Sequence, residues 1–423
     1  MRSLHQLSAR DGLSAVHERT ISPADLVEAS VGRIIARDFE LEAFEYFDPL
    51  SVIRQPNNAL DQPGLLEGLP VGIKDLFDTS DMPTTYGSAI YARHQPVADA
   101  AAVAMLRELG AVVVGKTVST EFATWVPPKT RNPHRPERTP GGSSSGSAAA
   151  VADHMVPVAL GTQTLGSVIR PASFCGVVGF KPSYGRISTA GVKPLAESLD
   201  TIGVFARDVP DAELIYRALS GDESTAFSPS FVPRILICRG FDWDAADDDA
   251  KTAFEEFVDR LRGVVPVQNW EWPESFCRLN ETARVIHDYE MYRGLTYERT
   301  RVPEKVSKSL MAGFEAASRR SSLDYEKAKI FGFESRHVFA FDVDPASVLI
   351  TLSAPGEAPM HAAGTGSPIM NCAWTLLHAP CVSIPVLTGK TGMPIGLQVV
   401  APAFRDADAL QAAEWLLEFS RSG

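Results

Sequence analysis

Short runs that are apolar at nearly every position constrain this chain most. They are "LPVGIKDLFD" (69–78), "AVVVG" (111–115), "VPVALGTQT" (156–164) and "CGVVGFKP" (175–182). Strands without polar alternation must be covered on both faces. Helical stretches separate them. "SPADLVEASVGRI" places Ser22 at an N-cap, Pro23 at the first helical position and Asp25 three residues after the cap. "DAAAVAMLRELG" reads as a helix ended by Gly110, and "SAAAVADHM" as another. Residues 205–345 are richer in charge and helical periodicity, with "ADDDAKTAFEEFVDRLRGV" the clearest case. "ASVLITLSAP", "APCVSIPVL" and "PIGLQVVAP" then restore strands. This alternation predicts an α/β fold: a mostly parallel mixed β-sheet covered by helices on both faces. No internal repeat or long Pro/Gly linker divides the chain. One domain over 1–423 is expected, with a core at 60–205, a variable helical stretch at 205–345, and strands and a helix at 346–423 returning to the sheet.

Composition narrows the function classes. The chain has 423 residues, 45% of them hydrophobic, and a net charge of -12. An acidic surface repels phosphate backbones, so no nucleic acid partner is expected. No apolar run approaches the roughly 20 residues of a membrane span. The N-terminal stretch carries Asp11 and Glu18 and shows no secretory signal. The five cysteines, scattered and without a CxxC pair, read as reduced thiols in a cytoplasmic protein.

Three short patterns mislead. "GAVVVGKT" (110–117) matches a phosphate-binding loop, but its middle residues favour an extended buried strand over a curled anion nest. "GSSSG" (142–146) matches a nucleophile elbow centred on Ser144, yet follows a polar, proline-rich segment instead of a buried strand. "DWDAADDD" (242–249) lacks the turn glycine and distal glutamate of a cation loop, and its acidic residues suit a helix N-terminus.

The chemistry gathers elsewhere. "TPGGSSSGSAAAVA" (139–152) puts paired glycines and four serines ahead of a helix, a backbone suited to close approach. A second small-residue loop, "GTQTLGSVIRPA" (161–172), follows. Lys74 sits at the end of an apolar strand, where burial depresses an amine's pKa and makes it a usable base. Asp75 points to the opposite face if the strand persists, so it is not the direct partner of Lys74. Two serine-bearing loops and a buried lysine can make a hydrolase without histidine.

The blocks "GLPVGIKDLFDTSDMPTTYGS", "GAVVVGKTVSTEFA", "NPHRPERTPGGSSSGSAAAVA", "GTQTLGSVIRPASFCGVVGFKPSYGRIS" and "SLDTIGVFARDVPD", in that order, resemble the amidase signature family. "PCVSIPV" and "PIGLQVVAP" resemble its C-terminal part. The resemblance implies a Ser–cisSer–Lys trio. The lysine falls on Lys74, the serine on a cis peptide on Ser143, and the nucleophile on Ser167, 24 positions after Ser143. It implies hydrolysis of a small-molecule amide through an acyl-enzyme. Lys74 would draw a proton through Ser143 from Ser167, while backbone N–H groups of Thr164, Leu165, Gly166 and Ser167 hold the oxyanion. Neither metal nor organic cofactor is implied. The expected partner is an amide substrate, with neither nucleic acid nor membrane, and the expected assembly a homodimer.

Two positions refine the resemblance. The family usually has glycine where Leu165 stands; the leucine brings a side chain toward the acyl pocket and makes a positive φ costly. Arg170 lies three residues after Ser167. With "GTQT" and "SAPG" (353–356) it resembles bacterial malonamidase-type members, whose matching arginine binds a substrate carboxylate. The other reading of Arg170 is a loop brace held by a carboxylate or carbonyls. Aryl-amide, urea-type and amidotransferase A-type activities stay open, as does an inactive binding protein on this scaffold. Thr162 and Gln163 read as loop hydrogen-bonders, Ser144 and Ser145 as loop formers, His154, His287 and His378 as satisfied histidines, and Cys175 as inert core. Substrate-pocket residues are expected mainly from 205–345, with Leu165 and Arg170.

Overall fold

The apolar runs become strands of a single sheet. A computed structural model describes residues 3–54, 64–223, 228, 231–344 and 346–422. The described residues form eleven strands: β1 Phe44–Tyr46, β2 Pro70–Lys74, β3 Val112–Thr117, β4 Val158–Gln163, β5 Val178–Lys181, β6 Thr201–Ala206, β7 Arg234–Cys238, β8 Val267–Trp270, β9 Ser347–Leu352, β10 Cys381–Thr388 and β11 Pro394–Val400. They lie in the order β1-β3-β2-β4-β6-β5-β10-β11-β9-β7-β8. Strands β2, β3, β4, β5, β6 and β9 are buried at every position. Successive valines of β3 serve opposite faces: Val113 packs into one apolar cluster, Val112 and Val114 into another. This is one α/β domain with helices on both faces of a large mixed sheet.

The mixture is more even than strand–helix alternation suggests. Four of the ten pairings are parallel: β2 with β3 and β4, and β7 with β8 and β9. The other six, through the centre and at the β1 edge, are antiparallel. Two parallel wings therefore flank an antiparallel middle. The middle strands are joined both by loops, such as the short turn between β10 and β11, and by helices, such as Ile169–Cys175 between β4 and β5. Those two strands lie on either side of β6 and antiparallel to it, so strand–helix alternation alone does not give the pairing.

Local signals act as the residues dictate. The Ser22 hydroxyl accepts from Asp25 N–H, and the Asp25 carboxylate accepts from Ser22 N–H at 2.7 Å, closing a capping box on the helix Pro23–Leu41. Gly110, at φ 91°, follows the helix Ala101–Glu108 and feeds β3. The loop-like match at 110–117 is thus mostly buried strand, and Asp248 and Asp249 open the helix Asp248–Arg262. The helices Lys308–Ala317 and Ser322–Asp342 both pack on Leu279–Gly294, which also rests on the short helix Cys372–Leu376. Lys74 ends β2 and Gln163 ends β4, so the carboxyl ends of two parallel strands open together where the parallel wing meets the antiparallel centre. That edge is the usual ligand crevice of such sheets.

Candidate active site

Lys74 is completely buried, and its ammonium-bearing end meets only hydroxyls. Its Nζ lies 2.7 Å from Ser143 Oγ, 2.9 Å from Ser144 Oγ and 2.8 Å from Thr162 Oγ1. Burial pushes its pKa well below the ordinary lysine value, opposed only by the charge of Asp200. Asp200 is half-buried, with its pKa pushed up to about 6 by desolvation. It accepts from Thr164 Oγ1 at 2.5 Å and from Leu195 and Ala196 N–H at 2.8 and 3.0 Å. Asp75, one residue from Lys74, turns to the other face and pairs with Lys116 at 3.2 Å.

The roles of the three hydroxyls differ. Ser144 Oγ, at the N-cap of the helix Ser145–Ala152, gives its hydrogen to Thr162 C=O (3.1 Å) and accepts Thr162 N–H (3.2 Å). Toward Lys74 it can therefore only accept. A neutral amine keeps two N–H donors and one lone pair. One N–H goes to Ser144, which leaves the second N–H and the lone pair for Ser143 and Thr162. Ser144 and Thr162, expected to be loop residues, thus belong to the shell of the lysine. Their signal in the sequence was adjacency to the two small-residue loops. Gln163 does hold the loop: its Oε1 accepts Val168 and Ile169 N–H, and its Nε2 donates to Thr375.

The paired glycines make the approach to Ser167. Gly141 and Gly142 adopt φ of 85° and 60°. A Cβ on Gly141 would stand 2.4 Å from the Phe174 ring, and one on Gly142 would stand 2.8 Å from Pro171 Cδ and 3.1 Å from Ser167 Cα. The glycines thus admit the helix Ile169–Cys175 and its leading loop, while Lys74 arrives from β2. Two expectations change here. No peptide bond among the described residues is cis, so the Gly142–Ser143 bond is trans, and the left-handed glycines supply the turn. Ser143 meets Ser167 through its backbone, its N–H donating to Ser167 Oγ at 3.1 Å, while the Ser143 hydroxyl bonds Lys74.

The loop after β4 presents its amides to a cavity of about 120 Å³. The N–H groups of Leu165, Gly166 and Ser167 donate to no protein group among the described residues. Leu165 is not among the residues with positive φ, and its side chain packs against an apolar cluster containing Ile169 and Trp374. The leucine is accommodated without left-handed backbone. Arg170 lines the same cavity. It is buried, Nε and Nη1 find no acceptor among the described residues, and burial lowers its pKa to about 10. No described carboxylate braces it. Of the described residues in 205–345, only His287 reaches this cavity; its other walls include Trp125, Leu195 and the loop Thr365–Pro368, where pocket residues were expected mainly from 205–345.

The remaining expectations divide. His287 Nδ1 lies 3.1 Å from Asp288, and His378 stacks on Tyr184 with its Nε2 3.2 Å from Ser198 O. His154 leaves Nδ1 buried and unpartnered among the described residues, with a pKa lowered to about 4 by burial. Cys175 is buried, and desolvation raises its thiol pKa. Among the described residues no three His, Cys, Asp or Glu side chains gather as a metal site, and no helix is long and apolar enough to cross a membrane.

The sheet and its strand-end cluster of amine, hydroxyls and free amides define an α/β protein with a buried polar site at the carboxyl ends of its parallel strands. The chain belongs to the Amidase family, whose model matches residues 25–410. It is 32% identical to a glutamyl-tRNA(Gln) amidotransferase subunit of Anaeromyxobacter dehalogenans (strain 2CP-C), over 98% of this chain and 96% of that one. A crystal structure of an amidase superposes with a TM-score of 0.90 at 28% identity, covering 98% of this chain and all of the other. A protein from a vestigial complex bearing on the origins of an s-triazine catabolic enzyme superposes at 0.89 and 26% identity, covering 98% of both chains. These relatives do not bear out the expected kinship to malonamidase-type members; the curated similarity runs to amidotransferase subunits.

Proposed function

We propose that this chain hydrolyses a small amide carrying a carboxylate, through an acyl-enzyme on Ser167. The observation that carries the reading is a fully buried lysine surrounded only by hydroxyls, beside a cavity that holds Ser167 and an unpaired buried arginine. Lys74, neutral, takes a proton from Ser143 as Ser143 takes one from Ser167. Thr162 and Ser144 accept the two amine N–H groups, which leaves the lone pair toward Ser143. Ser167 Oγ attacks the amide carbon, and the N–H groups of Leu165, Gly166 and Ser167 hold the oxyanion. The proton returns through Ser143 to the leaving nitrogen, and water then releases the acid along the reverse path. The Ser143 and Ser167 hydroxyls must turn toward each other for the transfer. Such hydrogen bonds commonly close only around bound substrate. Arg170, with no described carboxylate beside it, receives the acid group of the substrate; an unpaired buried guanidinium is expensive, and a bidentate carboxylate relieves it.

The test is an amide panel with and without a carboxylate. Ser167→Ala should lower turnover at least about a thousandfold. Arg170→Ala should lose about a hundredfold in kcat/KM on carboxylated amides and far less on neutral ones. Equal rates for wild type and Ser167→Ala would end the reading; an equal loss on both substrate sets would remove the carboxylate.

The similarity to amidotransferase subunits supports a second reading, an ammonia-supplying component of a larger assembly. Stable co-purification of partner chains, with amide hydrolysis only in their presence, would favour it.

A further inference from the structure

We infer that Trp125, seated on Gly313, is the wall that limits the leaving group of the amide, so that primary amides are preferred over N-substituted ones. The inference rests on the acyl-transfer reading above and deepens it. Thr120 N–H donates to Ser143 C=O at 3.2 Å, which ties the segment Ser119–Trp125 to the residue that returns the proton to the leaving nitrogen. That segment therefore borders the leaving-group side. Arg170, on the helix Ile169–Cys175, borders the acyl side.

Trp125 lines the cavity facing His287, with ring centroids 6.2 Å apart, and is 39% exposed, as suits a residue at the mouth. Its position is held on two sides. Indole Nε1–H donates to Ser309 Oγ at 3.1 Å. The benzo edge lies on Gly313, where a Cβ would stand 2.4 Å from Cζ2 and 2.5 Å from Cη2. Glycine inside the helix Lys308–Ala317 is unfavourable relative to alanine, and here it makes the seat for the ring. The approach to Trp125 is also unusual. Phe122 and Ala123 are consecutive non-glycine residues at φ 49° and 59°. Backbone of that kind is held only where its surroundings over-determine it, and often at functional sites. The cavity is small, about 120 Å³, and the indole stands at its mouth, so an N-aryl group on the leaving nitrogen would meet the ring. The helical stretch at 205–345 thus acts on selectivity at one remove, by seating a wall residue that belongs to another part of the chain.

The experiment compares kcat/KM for the primary amide, N-methylamide and anilide of one acid in wild type, Trp125→Ala, Trp125→Leu, Gly313→Ala and the Trp125→Ala/Gly313→Ala pair. Trp125→Ala and Trp125→Leu should raise the anilide-to-primary ratio about tenfold or more. Gly313→Ala should push the ring toward His287, raise KM for the N-methylamide more than for the primary amide, and lose that effect in the double variant. An unchanged ratio in both Trp125 variants overturns the inference. So does a shift in acyl-chain preference without a shift in the ratio, which would put the wall on the other side. Ser167→Ala runs alongside: full activity there condemns the acyl-transfer reading itself, whereas an inactive Ser167→Ala with an unmoved ratio in the Trp125 variants condemns only the wall.

Discussion

Lys74 and Lys116 stand on neighbouring parallel strands, one residue apart in register, and both are completely buried. Their surroundings are opposite. Lys116 faces the Asp75 carboxylate at 3.2 Å, Phe77 C=O at 2.8 Å and Thr84 Oγ1 at 2.6 Å. Lys74 faces three hydroxyls and, among the described residues, no carboxylate within bonding distance. Burial lowers both pKa values, but the charge and hydrogen bond of Asp75 oppose the shift at Lys116, whereas at Lys74 only the charge of Asp200 does. A carboxylate partner holds an amine charged and makes it a structural tie. Hydroxyls can both accept and give a proton, so an amine among them can exchange one. The partner set, more than depth of burial, separates a brace from a base.

The comparison breaks most directly by exchange. Lys74→Met should lower amide turnover at least about a thousandfold while costing less stability than the matching change at Lys116. Lys116→Met leaves Asp75 buried without its cation and should cost about 3–5 kcal/mol. Turnover together with urea unfolding checks both; a larger stability loss for Lys74→Met would reverse the assignment. Next in size, Gly142→Ala places a Cβ against Pro171 and Ser167 in a left-handed backbone. About 1–3 kcal/mol of stability should go, and the Ser167 loop should shift; unaltered melting and turnover would show that the close approach is not needed.

Smaller effects sharpen the contrast. Thr162→Val removes an acceptor from the lysine shell, and kcat should fall about tenfold to a hundredfold. It also leaves an N–H of the charged form unmatched, so the acid limb of the pH–rate profile should move to lower pH. Thr162→Ser should restore both. Asp200→Asn gives the smallest shift. Asp200 is ionised above about pH 6, and its charge raises the pKa of Lys74. The working form of Lys74 is neutral, so activity falls as pH drops through that pKa. Removing the charge lowers the pKa, and the acid limb should again move down; a move upward would show that Asp200 does not act through Lys74.

The apolar runs determined by themselves that strands would be covered on both faces, because strands without polar alternation have no face to give to water. The capping box at Ser22 and Asp25 and the strand at Val112–Thr117 were equally legible, since propensity and capping are local. Lys74 and the two small-residue loops could be picked out because serine-rich loops and a lysine at a strand end are unusual in chemistry and order; Ser143, Ser167 and Arg170 within those loops followed from the resemblance to the amidase signature family. Which partners each side chain meets was decided only by tertiary packing. Thr162 and Ser144 looked like loop residues, and the same β-alternation that turns Asp75 away brings Lys74 onto them. Strand direction in the centre of the sheet, the lack of a described carboxylate at Arg170 and the seat of Trp125 on Gly313 arise between segments far apart in the chain. No local periodicity encodes a contact of that kind; it exists only once the sheet has closed and the loops have been pressed together over its strand ends.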